Sequence, residues 1–157
     1  MEYLSKECYD KLVAELHELE TVELQRVKDA YPVIWKKPDA RPELCFVGCP
    51  HMSLQQLKDW ARAVQEGLEK NGLRKVTVPT VFTAPMPVIK EFEQTMDAYY
   101  LKQSGVVLSY ICPLMYMNNP LCKKKAVITS SNKLRTYTSA RYYTEAEILA
   151  IITGGAK

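Results

Sequence analysis

Apolar positions recur along this chain in two different periods. Between about Ser5 and Lys28, Tyr9, Leu12, Val13, Leu16, Leu19 and Val22 fall at helical spacing, with acids and lysines on the other face. That stripe predicts an amphipathic helix with Ser5 as its N-cap. Residues 31–42 then carry Pro32, Pro38 and Pro42, which break a helix and read as a linker. Beyond it, short apolar runs alternate with helical stripes. Leu44-Cys45-Phe46-Val47 predicts a strand. Ser53 to Lys70 predicts a helix, with Ser53 and Gln56 spaced as a capping box and Asn71-Gly72 ending it. Lys75 to Phe82 predicts a strand in which Pro79 favours an edge or bulge position. Pro87 to Gln103 predicts a helix, Val106 to Tyr110 and Ala126 to Thr129 strands, Asn132 a helical turn, and Glu145 to Ile152 a closing helix before Gly154-Gly155.

Strand, helix, strand, helix, strand is the pattern of parallel crossover units. The expected fold is α/β: a small three-layer α/β/α sandwich with a four- to five-stranded, mostly parallel sheet, preceded by an N-terminal helix. The expected organisation is a helix over 1–30, a Pro-rich linker over 31–42 and an α/β domain over 43–157. No Gly-rich turn follows any strand, so dinucleotide-fingerprint and P-loop readings have no support.

Composition narrows the class. Apolar residues are 47% and charged residues 25% of 157, the balance of a folded domain. No run of 18 apolar residues exists, so no membrane helix is expected. No basic-then-apolar leader opens the chain, so a cytoplasmic location is expected. The charge is uneven: residues 1–30 hold eight acids and four bases (−4), and residues 31–157 hold ten acids and seventeen bases (+7), summing to +3. A mildly basic body suits a small anion. No basic stripe with interleaved aromatics is present, and Lys123-Lys124-Lys125 reads as a solvated turn, so no nucleic-acid partner is expected.

Candidate chemistry lies at the strand ends, because open parallel sheets bind ligands at the carboxyl edge. Gly48-Cys49-Pro50-His51 follows the first strand, Thr83 the second, Cys112 the third, and Ser130-Ser131-Asn132-Lys133 the fourth. Cys8 and Cys45 read as small core residues. Cys49 and Cys112 admit three readings: thiolate ligands of an iron–sulfur cluster, which takes three or four ligands; a Cys49 nucleophile with His51 as base; or space-filling side chains. His51 alone also fits a turn residue bound to backbone. Ser131 and Lys133 suit an anionic group, or else Ser130 and Ser131 cap a short helix. Tyr99, Tyr100, Tyr110 and Tyr116 read as core and rim.

The stretch Leu44-Cys45-Phe46-Val47-Gly48-Cys49-Pro50-His51-Met52-Ser53-Leu54 resembles the signature of the aconitase X family, in the C-terminal portion of its large, catalytic subunit. Thr83, Cys112 and the series Thr129-Ser130-Ser131-Asn132-Lys133 with Tyr137 follow in the order of that family. The resemblance covers about residues 43–153. It implies a fragment of an iron–sulfur hydro-lyase (dehydratase) acting on a small anionic hydroxylated substrate, such as a hydroxyproline or a mevalonate phosphate. It implies Cys49 and Cys112 as cluster ligands and Thr83, Ser131, Lys133 and His51 as substrate-binding residues. The partners it implies are the remainder of the catalytic subunit and the small swivelling subunit.

The chain also departs from that family. Tyr110-Ile111 precedes Cys112 where Asp-Thr is usual, Ser130 replaces a common Asn, and Glu147-Ile148 stands in the closing helix where a Cys is frequent. The family's catalytic subunit is far longer, so the chain is expected to be inactive alone. The rival reading is a non-catalytic interaction module with inert cysteines. The first helix, through Tyr3-Leu4-Ser5 and Leu12-Val13-Ala14-Glu15-Leu16, is also similar to the start of bacterial transcript-cleavage factors, over a stretch that a generic amphipathic helix supplies.

Overall fold

The structure, a computed structural model, describes residues 39–155 and, before them, Lys6, Asp10, Lys11, residues 13–16, Glu18, Val22 and Arg26. Those N-terminal positions are all helical and exposed, Val13, Leu16 and Val22 among them. The cap at Ser5, the expected core role of Cys8 and residues 31–38 of the linker lie outside the described residues. The chain divides into two units, Met1–Pro32 and Val33–Lys157. Among the described residues no helix is long and apolar enough to cross a membrane.

The second unit is built on the short run that opens it. β1, Leu44–Val47, is buried along almost its whole length. Cys45 and Val47 belong to one core with Leu57, Trp60 and Val64, whereas Phe46 belongs to another with Met117, Val127 and Leu134. A strand buried on both faces must be apolar at successive positions, which is why Leu-Cys-Phe-Val shows no alternation. It pairs in parallel with β2 (Thr80–Thr83) on one side and β4 (Val127–Thr129) on the other. β3 (Val107–Ser109) adds outside β2 and β5 (Arg141–Tyr142) outside β4, giving an all-parallel sheet in the order β3-β2-β1-β4-β5. The expected three-layer α/β fold is therefore present, with five strands.

One helical layer contains α1 (Leu54–Lys70), α2 (Met86–Phe92), α3 (Met96–Gln103) and α7 (Glu145–Ile152), the last three packed against α1. The other contains α4 (Pro113–Met117), α5 (Pro120–Lys123) and α6 (Asn132–Tyr137). α1 begins in the expected capping box: the Ser53 hydroxyl accepts from Gln56 N–H, and the Gln56 side chain accepts from Ser53 N–H. Gly72, at φ +66°, takes the chain out of α1 where a side chain would strain.

Three expectations need correction. The strand expected over 75–82 is shorter and begins after Pro79, because proline has no N–H for a ladder. Pro79 lends only its carbonyl, which accepts from Cys45 N–H at 2.8 Å, and β2 is an interior strand rather than an edge. The helix expected over 87–103 is two helices. Thr95 interrupts it, donating its hydroxyl to Phe92 C=O (2.7 Å) and accepting from Ala98 N–H (3.2 Å), so one residue closes α2 and caps α3. Finally, α4, α5 and β5 are too short to carry a periodic signal. Met117, the last residue of α4, is a buried member of the second core.

Phe82 is fully buried between the sheet and α1, its ring edge-on to Trp60 with centroids 5.4 Å apart. Phe82→Ala is expected to cost about 3–5 kcal/mol of unfolding free energy. Leu121→Ala, at a side chain 77% exposed, is expected to change it by about 0.5 kcal/mol or less. Urea denaturation of the two variants beside the parent checks both values.

Candidate functional site

Because all five strands are parallel, the turns that follow them emerge at one edge of the sheet. The chain fills one side of β1 with β2 and β3, then crosses to the other side for β4 and β5. The crevice between the exits of β1 and β4 is the switch point, where open α/β sheets take ligands.

The exit of β1 is held by β2. Thr83, fully buried, donates its hydroxyl to Gly48 C=O at 2.5 Å, and its own carbonyl accepts from Met52 N–H at 2.9 Å. Gly48 sits at φ +102°, and a Cβ there would lie 2.3 Å from the Thr83 carbonyl oxygen. Glycine is required at this position twice, by conformation and by space. The peptide bond that follows, Cys49–Pro50, is cis. Cys49 emerges half-buried and His51 exposed.

The exits of β3 and β4 are held by their own hydroxyls. Ser109 C=O accepts from Ala84 N–H (3.1 Å), and its side chain accepts from Ile111 N–H (3.1 Å) and shares a hydrogen bond with the Tyr116 hydroxyl (2.9 Å). The Tyr116 ring stacks on Phe46 at 5.4 Å, tying this turn to the second core. Cys112, half-buried, is the residue before α4. At the exit of β4, Thr129 Oγ1 accepts from Ser131 N–H (3.1 Å), and the buried Ser131 hydroxyl caps α6 by accepting from Leu134 N–H (3.0 Å). Lys133 is exposed on α6. Below it, Arg135 is buried, bonded to Asn132 and set over the Tyr142 ring. Burial is the main cause that raises the Tyr142 phenol above its ordinary range. Arg135 pulls it down, and Glu145 and Glu147 push it up.

A cavity of 160 Å³ occupies the switch point, with Gly48, Cys49, His51, Gln56, Ser130 and Glu145 in its wall. A second, of 280 Å³, lies over α1 and α7 and shares Gln56, Trp60 and Glu145 with the first. The structure thus brings Cys49 and His51 together with Ser130. Thr83 sits behind the β1 turn, with its hydroxyl used by that turn. Cys112, Ser131 and Lys133 stand on the same edge but do not line this cavity. Glu145, Gln56 and Trp60 escaped the sequence reading. Gln56 was visible as the capping-box partner of a helix, and Glu145 as the first residue of the closing helix. Nothing local to the sequence tells that the closing helix starts beside the exit of β1.

The donor set bears on an iron–sulfur cluster. Among the described residues no group of three or more His, Cys, Asp or Glu side chains is gathered as a metal site. A cluster takes three or four protein ligands, and Cys49 and Cys112 are two. The described residues therefore do not fit a complete cluster site. The thiols also differ in kind. Cys49, Cys112 and Cys122 are free and partly exposed, whereas Cys45 is buried. Burial pushes the Cys45 thiol up to about 12, with a hydrogen bond to Thr80 opposing the shift.

Residues 42–151 match the aconitase X third domain. The fold is similar to the crystal structure of Thermococcus kodakaraensis aconitase X in its holo-form, with a TM-score of 0.62 at 19% sequence identity. That alignment covers 83% of this chain and 33% of the archaeal chain, so the sequence spans about a third of that relative's length. No curated protein matches the sequence.

Two outcomes follow from this geometry. Gly48→Ala, forced against the Thr83 carbonyl at a positive φ, is expected to unfold the domain or lower its thermal midpoint by many degrees, seen by circular dichroism. For Cys45, a folded pKa raised above the unfolded value near 9.0 means that the unfolded chain loses its proton first. Its contribution is full below pH 9, and stability falls as the pH rises from about 9 towards about 12. Cys45→Ala is expected to flatten that alkaline slope in a pH series of denaturant melts.

Proposed function

This chain belongs to the aconitase X family, and we propose that its α/β unit is one domain of a hydro-lyase that dehydrates a small anionic hydroxylated substrate. The observation that carries the reading is the switch-point cavity, where the Gly48–Met52 turn and Ser130 meet at the carboxyl edge of a parallel sheet. His51 and Glu145 are proton-accepting side chains in its wall, as the removal of a substrate proton demands. Ser131, the N-cap of the neighbouring α6, and Lys133 on that helix bind the substrate's anionic group. Thr83 acts one step back: its hydroxyl holds the Gly48 carbonyl and so positions the turn that presents Cys49 and His51.

In this reading Cys49 and Cys112 are the domain's thiolates for an iron–sulfur cluster. They emerge beside β1 and β3, strands separated by β2, and so stand about 10 Å apart at the strand level. Two thiols fall short of a ligand set, so a cluster needs donors from the remainder of the catalytic subunit. The small swivelling subunit closes the substrate pocket. The size of the relative, three times the aligned length, is consistent with a site completed from outside this domain.

The test is anaerobic purification of the protein with the polypeptides that accompany it in its source, followed by iron and sulfide analysis and visible spectroscopy. Cys49→Ser and Cys112→Ser are each expected to lose most of the sulfur-to-iron charge-transfer absorption. Cys122→Ser, another partly exposed thiol, is expected to keep it. A colourless assembly, or equal colour in all three variants, would replace the lyase by a non-catalytic module with inert cysteines.

A further inference from the structure

The two edges of the sheet are unequally defended. β5 presents Arg141, a charge of the kind that keeps an edge strand from pairing. β3 is Val-Leu-Ser, with no charge, proline or bulge. The polarity of its backbone follows from the ladder. Ser109 C=O faces β2, since it accepts from Ala84 N–H, and Val107 and Ser109 share that orientation in a strand of period two. Leu108 between them therefore turns its N–H and C=O away from β2. Leu108 also lines a groove of 570 Å³ whose wall includes Glu93, Tyr99, Lys102 and Val107. Tyr99 and Val107 are 57% and 58% exposed there, and Tyr110 and Ile111 continue the apolar surface beyond the strand.

We propose that this edge is the contact between two copies of the chain, joined through antiparallel β3 strands with Leu108 opposite Leu108 on a two-fold axis. That register forms a hydrogen-bonded pair, in which each Leu108 N–H donates to the other's C=O. It makes one continuous ten-stranded sheet from two five-stranded ones. The groove's charges select this occupant. An isologous contact sets a patch against itself, and a patch holding one acid, Glu93, and one base, Lys102, is complementary to its own two-fold image. A partner of single-signed charge would be opposed by one of the two. The apolar rings of Tyr99 from both copies then close over the seam beside the paired strands. The contact lies at the β3 side of the sheet, two strands from β1, so it leaves the switch-point cavity between β1 and β4 open.

The experiment is sedimentation equilibrium of the full chain over a wide concentration range, expected to give twice the 18.0 kDa monomer mass at high concentration. Leu108→Pro removes an N–H that β2 does not use, a substitution that an edge strand tolerates on its open side. It is expected to sediment as a monomer with the parent's circular dichroism. Glu93→Lys and Lys102→Glu are each expected to weaken association about fivefold or more, and the double variant, which restores the trans pairing, to recover most of it. A chain that stays monomeric at every concentration overturns the proposal. So does a double variant no tighter than the singles, or a dimer that ignores Leu108→Pro and dissolves on Leu16→Asp in the N-terminal helix.

Discussion

The close approach of Gly48 to Thr83 is the constraint on which the rest of the carboxyl edge depends. β1 is the strand shared by both halves of the sheet, and its exit turn has to clear the end of β2 within hydrogen-bond distance. The absence of a Cβ at Gly48 makes that approach sterically possible, and the Thr83 hydroxyl converts it from a near-clash into a bond. The next residues, Cys49 to Met52, are then fixed by the return bond from Met52 N–H to the Thr83 carbonyl. Two backbone carbonyls and one side chain thereby set where a thiol and an imidazole leave the sheet. A turn of four residues holding a thiol, a proline and an imidazole would otherwise sample many conformations, and a site needs one.

The strand order 3-2-1-4-5 is that of doubly wound nucleotide-binding sheets, yet the turn after β1 is not built to cradle a phosphate chain. The usual device is a glycine-rich loop whose backbone N–H groups point at the ligand. Here Met52 N–H is spent on Thr83, Pro50 has none to give, and Ser53 N–H is bonded to Gln56. What reaches the crevice is side chains: a thiol, an imidazole and a carboxylate. The fold and the chemistry are thus separable: the same strand order here carries a crevice walled by side chains.

Much of this architecture was legible in the sequence where a single element carried enough residues to show a period. α1 spans 17 residues with a capping box at one end and Asn-Gly at the other, and both ends agree with the reading. α7 carries a second capping box, Thr144 with Glu147, and its bounds agree as well. The failures occur where one side chain outweighs the pattern. Thr95 divides a stripe that looks continuous, because a hydroxyl bonding backward to Phe92 and forward to Ala98 offers the chain a corner. β5 and α5, of two and four residues, exist only through their tertiary neighbours and have no local signature. For the site, residue type and strand-end position suggested Cys49 and His51, which line the switch-point cavity, and Ser131, which does not. Glu145 was hidden because its place beside β1 depends on strand order, which no window of sequence contains.

The completeness of a site and the completeness of a fold are different conditions, and this domain separates them. Its two cores enclose the sheet on both faces with the chain's own helices, so the fold needs no neighbour to bury Phe46, Phe82 or Phe92. The carboxyl edge is otherwise: His51 and Lys133 are exposed there, and its two candidate thiols stand on turns separated by a strand. A second surface closing over that edge would meet an already rigid framework, because the exits of β1, β3 and β4 are each fastened by a buried or half-buried hydroxyl, at Thr83, Ser109 and Thr129. Rigidity installed before closure lowers the ordering cost of forming the complete site. The three hydroxyls of Thr83, Ser109 and Thr129 are thereby spent on the turns themselves.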